Sequence, residues 1–268
     1  MPERPTSDAA LDERIALAAL QEQFPAAAFE RVERMASGWA TDAYRVDDQL
    51  VARFPRNADL ASWIDHDEAV HRFVAATLGA ALRVPEVKYR GRAGAHFPYA
   101  FLVCTLVPGV GADRLGAPIS DGLVRDLGAA LTEIHSVSAE AAATVGVEQP
   151  GWDDYRGPLH FIHGDFGPGN LIVDPTSGRL SGIVDWGNAA IGDPALDFVP
   201  LVLWRGWEFA QAVVAAYGLR TDQDFVARIR RKAQIQALQW LTDTVKRQAD
   251  PALHLTWLKN AFDLQSVS

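Results

Sequence analysis

The sequence predicts an α+β protein in two lobes, a small strand-rich one over residues 1–106 and a mainly helical one over 107–268. Three observations point there. Short β-like runs crowd the first third around one long helical pattern. Val107-Pro108-Gly109-Val110-Gly111 then breaks all periodicity, and from Pro194 onward the apolar spacing is helical almost to the end. The chain has 268 residues, 49% hydrophobic and 22% charged, which suits a globular protein of one or two domains and is too apolar for a disordered one.

In chain order, Asp8 to Gln21 carries Leu11, Ile15 and Ala18/Ala19 on one side and predicts a helix. Strands follow at Phe29–Met35, Ala43–Val46 and Leu50–Phe54, the first two separated by a loop over Ser37–Asp42. Asp59 to Leu78 returns to helical spacing through Leu60, Ile64, Phe73 and Leu78, and two more strands are expected at Glu86–Tyr89 and Tyr99–Thr105. Past the break, Ser120 is placed to cap a helix bearing Leu123, Leu127, Leu131 and Ile134 on one face. Short strands at Phe161-Ile162, Leu171–Val173 and Leu180–Val184 surround two polar loops, and helices are expected over Ala195–Tyr217, Asp222–Arg247 and Pro251–Leu264.

The informative stretch is Phe161-Ile162-His163-Gly164-Asp165-Phe166-Gly167-Pro168-Gly169-Asn170-Leu171-Ile172-Val173. An apolar strand delivers Asp165 into a loop that its glycines keep tight, and Asn170 opens the next strand. Ile183-Val184-Asp185-Trp186-Gly187 places a second carboxylate just past a third strand. Asn170 and Asp185, hard oxygen donors at neighbouring strand ends, suit Mg²⁺, which takes one or two carboxylates with phosphate oxygens and waters. Asp165 is then left to accept a proton from an attacking hydroxyl, the division of labour that phosphoryl transfer requires.

The segment from His163 to Phe198 closely resembles the aminoglycoside phosphotransferase superfamily, small-molecule kinases with a two-lobed protein-kinase-like fold, and the resemblance covers nearly the whole chain. It implies that Asp165 is the catalytic base and that Asn170 and Asp185 hold Mg²⁺. It also implies that Asp197, in Asp193-Pro194-Ala195-Leu196-Asp197-Phe198, braces the catalytic loop, with His163 fixing that loop rather than serving as acid or base. In the first lobe the Ser37–Asp42 loop matches a nucleotide-covering loop, though it holds one glycine only. Val51-Ala52-Arg53-Phe54 resembles the strand that supplies a phosphate-contacting lysine, here replaced by Arg53 as in macrolide kinases, and Glu68 stands where its ion-pair partner belongs. The backbone from Cys104 to Leu106 would hydrogen-bond the purine of ATP or GTP. The implied function is nucleotide-dependent phosphorylation of a small-molecule hydroxyl, with a metabolic kinase of the same fold, a non-catalytic nucleotide-binding module and a metal-dependent hydrolase as alternatives.

The acceptor reading rests on the C-terminal helices. They carry few acids, among them Asp197, Glu208 and Asp243, but several basic residues and many aromatics. That favours an amphipathic, macrolide-type acceptor over a polycationic aminoglycoside, with Asn188, Trp204, Glu208 and Trp240 as candidate contacts. The short 136–160 connection retains Trp152-Asp153-Asp154-Tyr155 as its binding potential and suggests an open acceptor site. A net charge of −9 argues against a nucleic-acid partner, no apolar run approaches the roughly 20 residues that span a bilayer, and the lone cysteine excludes an internal disulfide. With a polar start from Met1 to Arg14, the expected setting is cytoplasmic.

Overall fold

The structure is a computed structural model that describes residues 4–115, 119–151 and 155–263, without the side chains of residues 36 and 37. The described residues form two compact units. Those through Ala76 together with Pro85–Val107 make the first, and Thr77–Val84 with those from Pro108 onward make the second.

In the first unit Asp12 starts helix α1 (Glu13–Gln23) by accepting the Ile15 amide at 2.7 Å. The helix begins later than its apolar spacing predicts because Asp8 is engaged elsewhere, its carboxylate accepting from the Ala58 amide. Strands β1 (Val32–Ser37), β2 (Thr41–Val46) and β3 (Leu50–Pro55) precede helices α2 (Ala58–Ala61) and α3 (Ile64–Leu78), and strands β4 (Val87–Gly91) and β5 (Phe101–Thr105) follow. The sheet order is β1-β2-β3-β5-β4, with every neighbouring pair antiparallel. The expected loop over Ser37–Asp42 narrows to Gly38-Trp39-Ala40, because Ser37 pairs with Asp42. The single helix expected over Asp59–Leu78 is two, since Asn57 caps the short α2 and α3 starts afresh at Ile64.

Alternation decides what each face of this sheet does. Tyr44, Val46, Ala52 and Phe54 point into a core with Ala16, Ala19 and Leu20 of α1, and Phe54 stacks on Phe101 at 4.5 Å between centroids. Each large side chain buried there contributes about 1.5–3 kcal/mol. Arg53, between Ala52 and Phe54, must point to the opposite face, where it meets α3.

The second unit begins with β6 (Val110–Gly111) and α4 (Asp121–His135). Ser120 caps α4 at 3.1 Å, and Leu123, Leu127, Leu131 and Ile134 are buried, as their spacing predicts. Then come α5 (Ala139–Ala143), β7 (His160–Ile162), β8 (Leu171–Val173), β9 (Leu180–Ile183) and β10 (Ala190–Gly192). β6, β8 and β9 form one small sheet and β7 pairs with β10. The expected helix over Ala195–Tyr217 is instead a 3-10 turn Pro194–Phe198, then α6 (Val199–Arg205) and α7 (Trp207–Ala215). Gly206 at φ 85° forces the break. Helices α8 (Phe225–Lys246) and α9 (Ala252–Phe262) complete the described chain. Trp152, Asp153 and Asp154 lie outside the described residues, whereas the Tyr155 ring sits 4.6 Å under the Arg228 guanidinium. Among the described residues no helix is long and apolar enough to cross a membrane.

Candidate active site

β7 ends at Ile162, and the chain turns at once through His163-Gly164-Asp165. Gly164 has φ 78°, and a Cβ there would lie 2.0 Å from the Asn188 carbonyl oxygen, so the turn admits no side chain. Gly164→Ala is therefore expected to cost at least the ~1–3 kcal/mol of a left-handed non-glycine residue; a thermal melt lowered by several degrees checks it.

Past the turn the loop closes on itself. The Gly167 amide donates to the Asp165 carbonyl at 2.7 Å and the Asn170 amide to the Gly167 carbonyl at 2.9 Å. Asn170 Nδ2 then donates to both the Asp165 carbonyl (2.9 Å) and Asp165 Oδ2 (3.0 Å). This fixes the carboxylate through one oxygen and turns the Asn170 amide so that its own oxygen remains an acceptor. Burial, and secondarily the negative charge of Asp185, push the Asp165 carboxyl above its ordinary range, against the lowering influence of His163 and the Asn170 hydrogen bond.

A buried network holds this loop from behind. Asp197 accepts the His163 amide on Oδ2 and the Gly164 amide on Oδ1, both at 2.8 Å. His135 Nε2 donates to the same Oδ2 at 3.1 Å, and its Nδ1 lies 2.8 Å from the Tyr217 hydroxyl. Burial alone would raise the Asp197 carboxyl, but the hydrogen bonds from His135 and the loop amide outweigh it and hold it below the usual range. Burial also pushes the Tyr217 hydroxyl upward, so it stays protonated. His163 accepts the Asp165 amide on Nδ1 (3.2 Å), so its Nε2 carries the proton and donates to the Val184 carbonyl at 3.1 Å. With both nitrogens occupied in a fully buried ring, His163 is a loop-fixing residue and offers no lone pair to a metal.

The third oxygen donor arrives on β9. The Val184 amide donates to the Asn170 carbonyl at 3.0 Å, which extends the β8–β9 ladder by one step and sets Asp185 just beyond it. Asp185 takes a left-handed conformation (φ 64°, ψ 68°) and is exposed, whereas Trp186 is fully buried, with its ring 4.6 Å from His163. The buried indole anchors the strained residue before it. Asn170 and Asp185 thus offer two hard oxygens at adjoining strand ends, a set that fits Mg²⁺ and leaves positions for phosphate oxygens and water. Among the described residues there is no group of three or more histidine, cysteine or acidic side chains that could hold a metal ion.

The first-unit candidates are placed differently from expectation in two respects. Glu68 is not the partner of Arg53: it pairs with Arg72 at 2.8 Å and Arg90 at 2.7 Å. Arg53 meets Asp67 (3.5 Å) and His71 (2.7 Å), because Asp67 and His71, four residues apart, share the face of α3 turned to the sheet. Nor are the amides after Cys104 available to a base. The Thr105 and Leu106 amides donate to the Glu86 and Gln49 carbonyls at 2.9 and 2.8 Å, and Cys104 pairs on both sides within β5. The Cys104 thiol, pushed up to about 11 by burial, is a packing residue. Ser37 ends β1, and only its backbone is described.

The acceptor candidates sit on four separate elements. Asn188 ends the 3-10 turn after Asp185 and is exposed, with its carbonyl against Gly164. Trp204 packs on Phe209 and under Arg205, Glu208 is exposed in the first turn of α7, and Trp240 packs between α8 and α9 on Trp257, 5.0 Å away, and His254. Both tryptophans take part in contacts between helices and remain partly exposed. Nothing in the sequence pattern marks His135 or Tyr217, whose partners are distant in the chain, nor Asp67 and His71, which the helical phase of α3 brings to Arg53.

The model of the "Phosphotransferase enzyme family" matches residues 31–157 and 148–231, well over half of the chain. Hygromycin-B 4-O-kinase of Escherichia coli is 31% identical over 72 residues, 27% of this chain and 20% of that one. Viomycin phosphotransferase of Streptomyces vinaceus is 39% identical over 59 residues, 21% of each. The chain thus spans only about a fifth of the length of these curated relatives. Among solved structures, the GDP and kanamycin complex of APH(2")-IIIa superposes with a TM-score of 0.72 at 21% identity over 93% of this chain and 96% of that one. Macrolide 2'-phosphotransferase type I does so with 0.67 at 15% identity over 94% and 99%. At such identities the likeness is one of fold.

Proposed function

We propose, because this chain belongs to the phosphotransferase enzyme family, that it transfers the terminal phosphoryl group of ATP or GTP to a hydroxyl of a small molecule, an antibiotic first among candidates. The observation that carries this reading is the Asn170–Asp165 hydrogen bond within a loop braced by Asp197, with Asp185 at the adjoining strand end. Asp165 orients the acceptor hydroxyl and takes its proton as the oxygen attacks in line. Its Oδ2 is held by Asn170, which orients the carboxylate toward its task. Magnesium, held by Asn170 and Asp185, would neutralise the nucleotide's phosphate charge. Arg53 adds a forked cation for phosphate oxygens. Catalysis by such a set is positioning and electrostatics rather than covalent chemistry.

The acceptor follows from charge. Helices α6 to α9 carry Glu208 and Asp243 as their only carboxylates, against a row of arginines and lysines on α8. A polycation finds little to pair with there, so a macrolide-type alcohol is the first choice and an aminoglycoside the second. ATP and GTP consumption with Mg²⁺, screened against macrolides, aminoglycosides and small metabolite alcohols, tests it. Acceptor-dependent phosphate transfer abolished by EDTA is the expected result. Turnover only with metabolite alcohols would move the protein to metabolism. Nucleotide-stabilised melting without transfer to any acceptor would leave a binding module.

A further inference from the structure

We propose that His71 is a positioning residue for nucleotide binding, its Nε2 lone pair acting with the Asp67 carboxylate to hold the Arg53 guanidinium in one plane. The inference rests on the reading of Arg53 as a phosphate-binding group. Arg53 Nη1 lies 2.7 Å from His71 Nε2 and 3.5 Å from Asp67 Oδ2. A guanidinium only donates, so Nε2 must accept and the ring proton must sit on Nδ1. That nitrogen is 2.8 Å from the Asp67 carbonyl, one turn back in α3, and 3.2 Å from Asp67 Oδ1. Both ring nitrogens are therefore fixed, and the ring has no exposed surface.

Burial disfavours the charged Asp67, but Arg53 and His71 outweigh it and hold its carboxyl well below the usual range, so a full negative charge stands beside the guanidinium. The division between the two partners has a physical reason. The Asp67 carboxylate already brings one negative charge to the guanidinium, and a second carboxylate in place of His71 would add another and repel phosphate. A neutral ring acceptor orients the fork without cancelling more of its charge. Lysine at position 53 would have no plane to hold.

The test is titration of the full chain with the magnesium complexes of AMPPNP and GMPPNP, and separately with adenosine and guanosine. His71→Leu is expected to weaken the triphosphate analogue by ~10-fold or more, the worth of a hydrogen bond to a charged group, and to leave nucleoside binding unchanged. His71→Gln, whose side-chain oxygen reaches the place of Nε2, restores most of the loss. In an Arg53→Lys background His71→Leu costs less than about twofold, because the clamp has lost its object. Unchanged triphosphate affinity, a loss shared by the nucleosides, or the same loss without the arginine overturns the inference. A wild-type chain that binds neither analogue overturns the functional reading and this inference with it. Should His71→Leu fail to fold, NMR of isotope-labelled histidines in the wild type decides: the Nδ1–H tautomer at His71 supports the clamp, and a protonated Nε2 refutes it.

Discussion

Asp165→Ala is expected to reduce kcat by ~10³-fold or more, towards the upper end of what a positioned general base contributes, while nucleotide affinity changes by no more than a few-fold. The separation follows from how the loop is held. Its backbone is fixed by Asp197 through the His163 and Gly164 amides and by the Gly167 and Asn170 turns, none of which needs the Asp165 side chain. The oxygens proposed to hold the metal belong to Asn170 and Asp185, and both side chains survive the substitution. Stability provides an internal control. Burial and the charge of Asp185 raise the folded-state titration of Asp165, so at neutral pH the ionised carboxylate works against the folded state. Removing it should leave the melting temperature unchanged or raised. Steady-state kinetics with any accepted substrate, together with nucleotide-dependent melting shifts, decide the case. Transfer at near wild-type rate refutes the assignment of Asp165, and a collapse of nucleotide binding refutes the independence of loop shape from its side chain.

The order of elements was largely legible in the residues, and so was the shape of the loop that carries Asp165, because both depend on local pattern. Leu123, Leu127, Leu131 and Ile134 repeat at helical spacing and are all buried in α4. The glycines around Asp165 and the apolar triplet after Asn170 mark a loop between strands that the backbone forms. What escaped was short or long-range. β6 and β10 hold two and three residues, too few to show alternation. α5 is nearly all alanine and shows no apolar face to read. The partner of Arg53 was misjudged by one position, since Asp67 and Glu68 are adjacent acids and only the helical phase of α3 relative to the sheet separates them. His135 lies 62 residues from Asp197, and nothing in the intervening sequence signals that the two meet.

Asp197→Ala is expected to cost ~3–5 kcal/mol, since each buried donor left without its acceptor costs ~1–3 kcal/mol, and to lower the melting temperature by ~10 °C or more at a few degrees per kcal/mol. The carboxylate is wholly buried and serves three donors at once, the His163 and Gly164 amides and His135 Nε2. Alanine leaves all three without an acceptor in a site closed to water. Because the two amides belong to the turn that presents Asp165, activity should fall with stability. Asp197→Asn separates charge from shape: it retains one acceptor oxygen but sets an NH₂ group against a donor. The pH dependence identifies the charge itself. The hydrogen bonds to Asp197 hold its folded-state titration below the unfolded value, despite the opposing effect of burial. The ionised form therefore contributes stability above the unfolded carboxylate value of about 3.9, and that contribution fades as the pH falls through the lower folded value. Thermal melts between neutral pH and pH 3 should show wild-type stability declining on acidification, with a flatter decline for Asp197→Asn. An asparagine variant that melts like wild type at neutral pH, or follows the same acid profile, would remove Asp197 from its place as the ionised anchor of the loop.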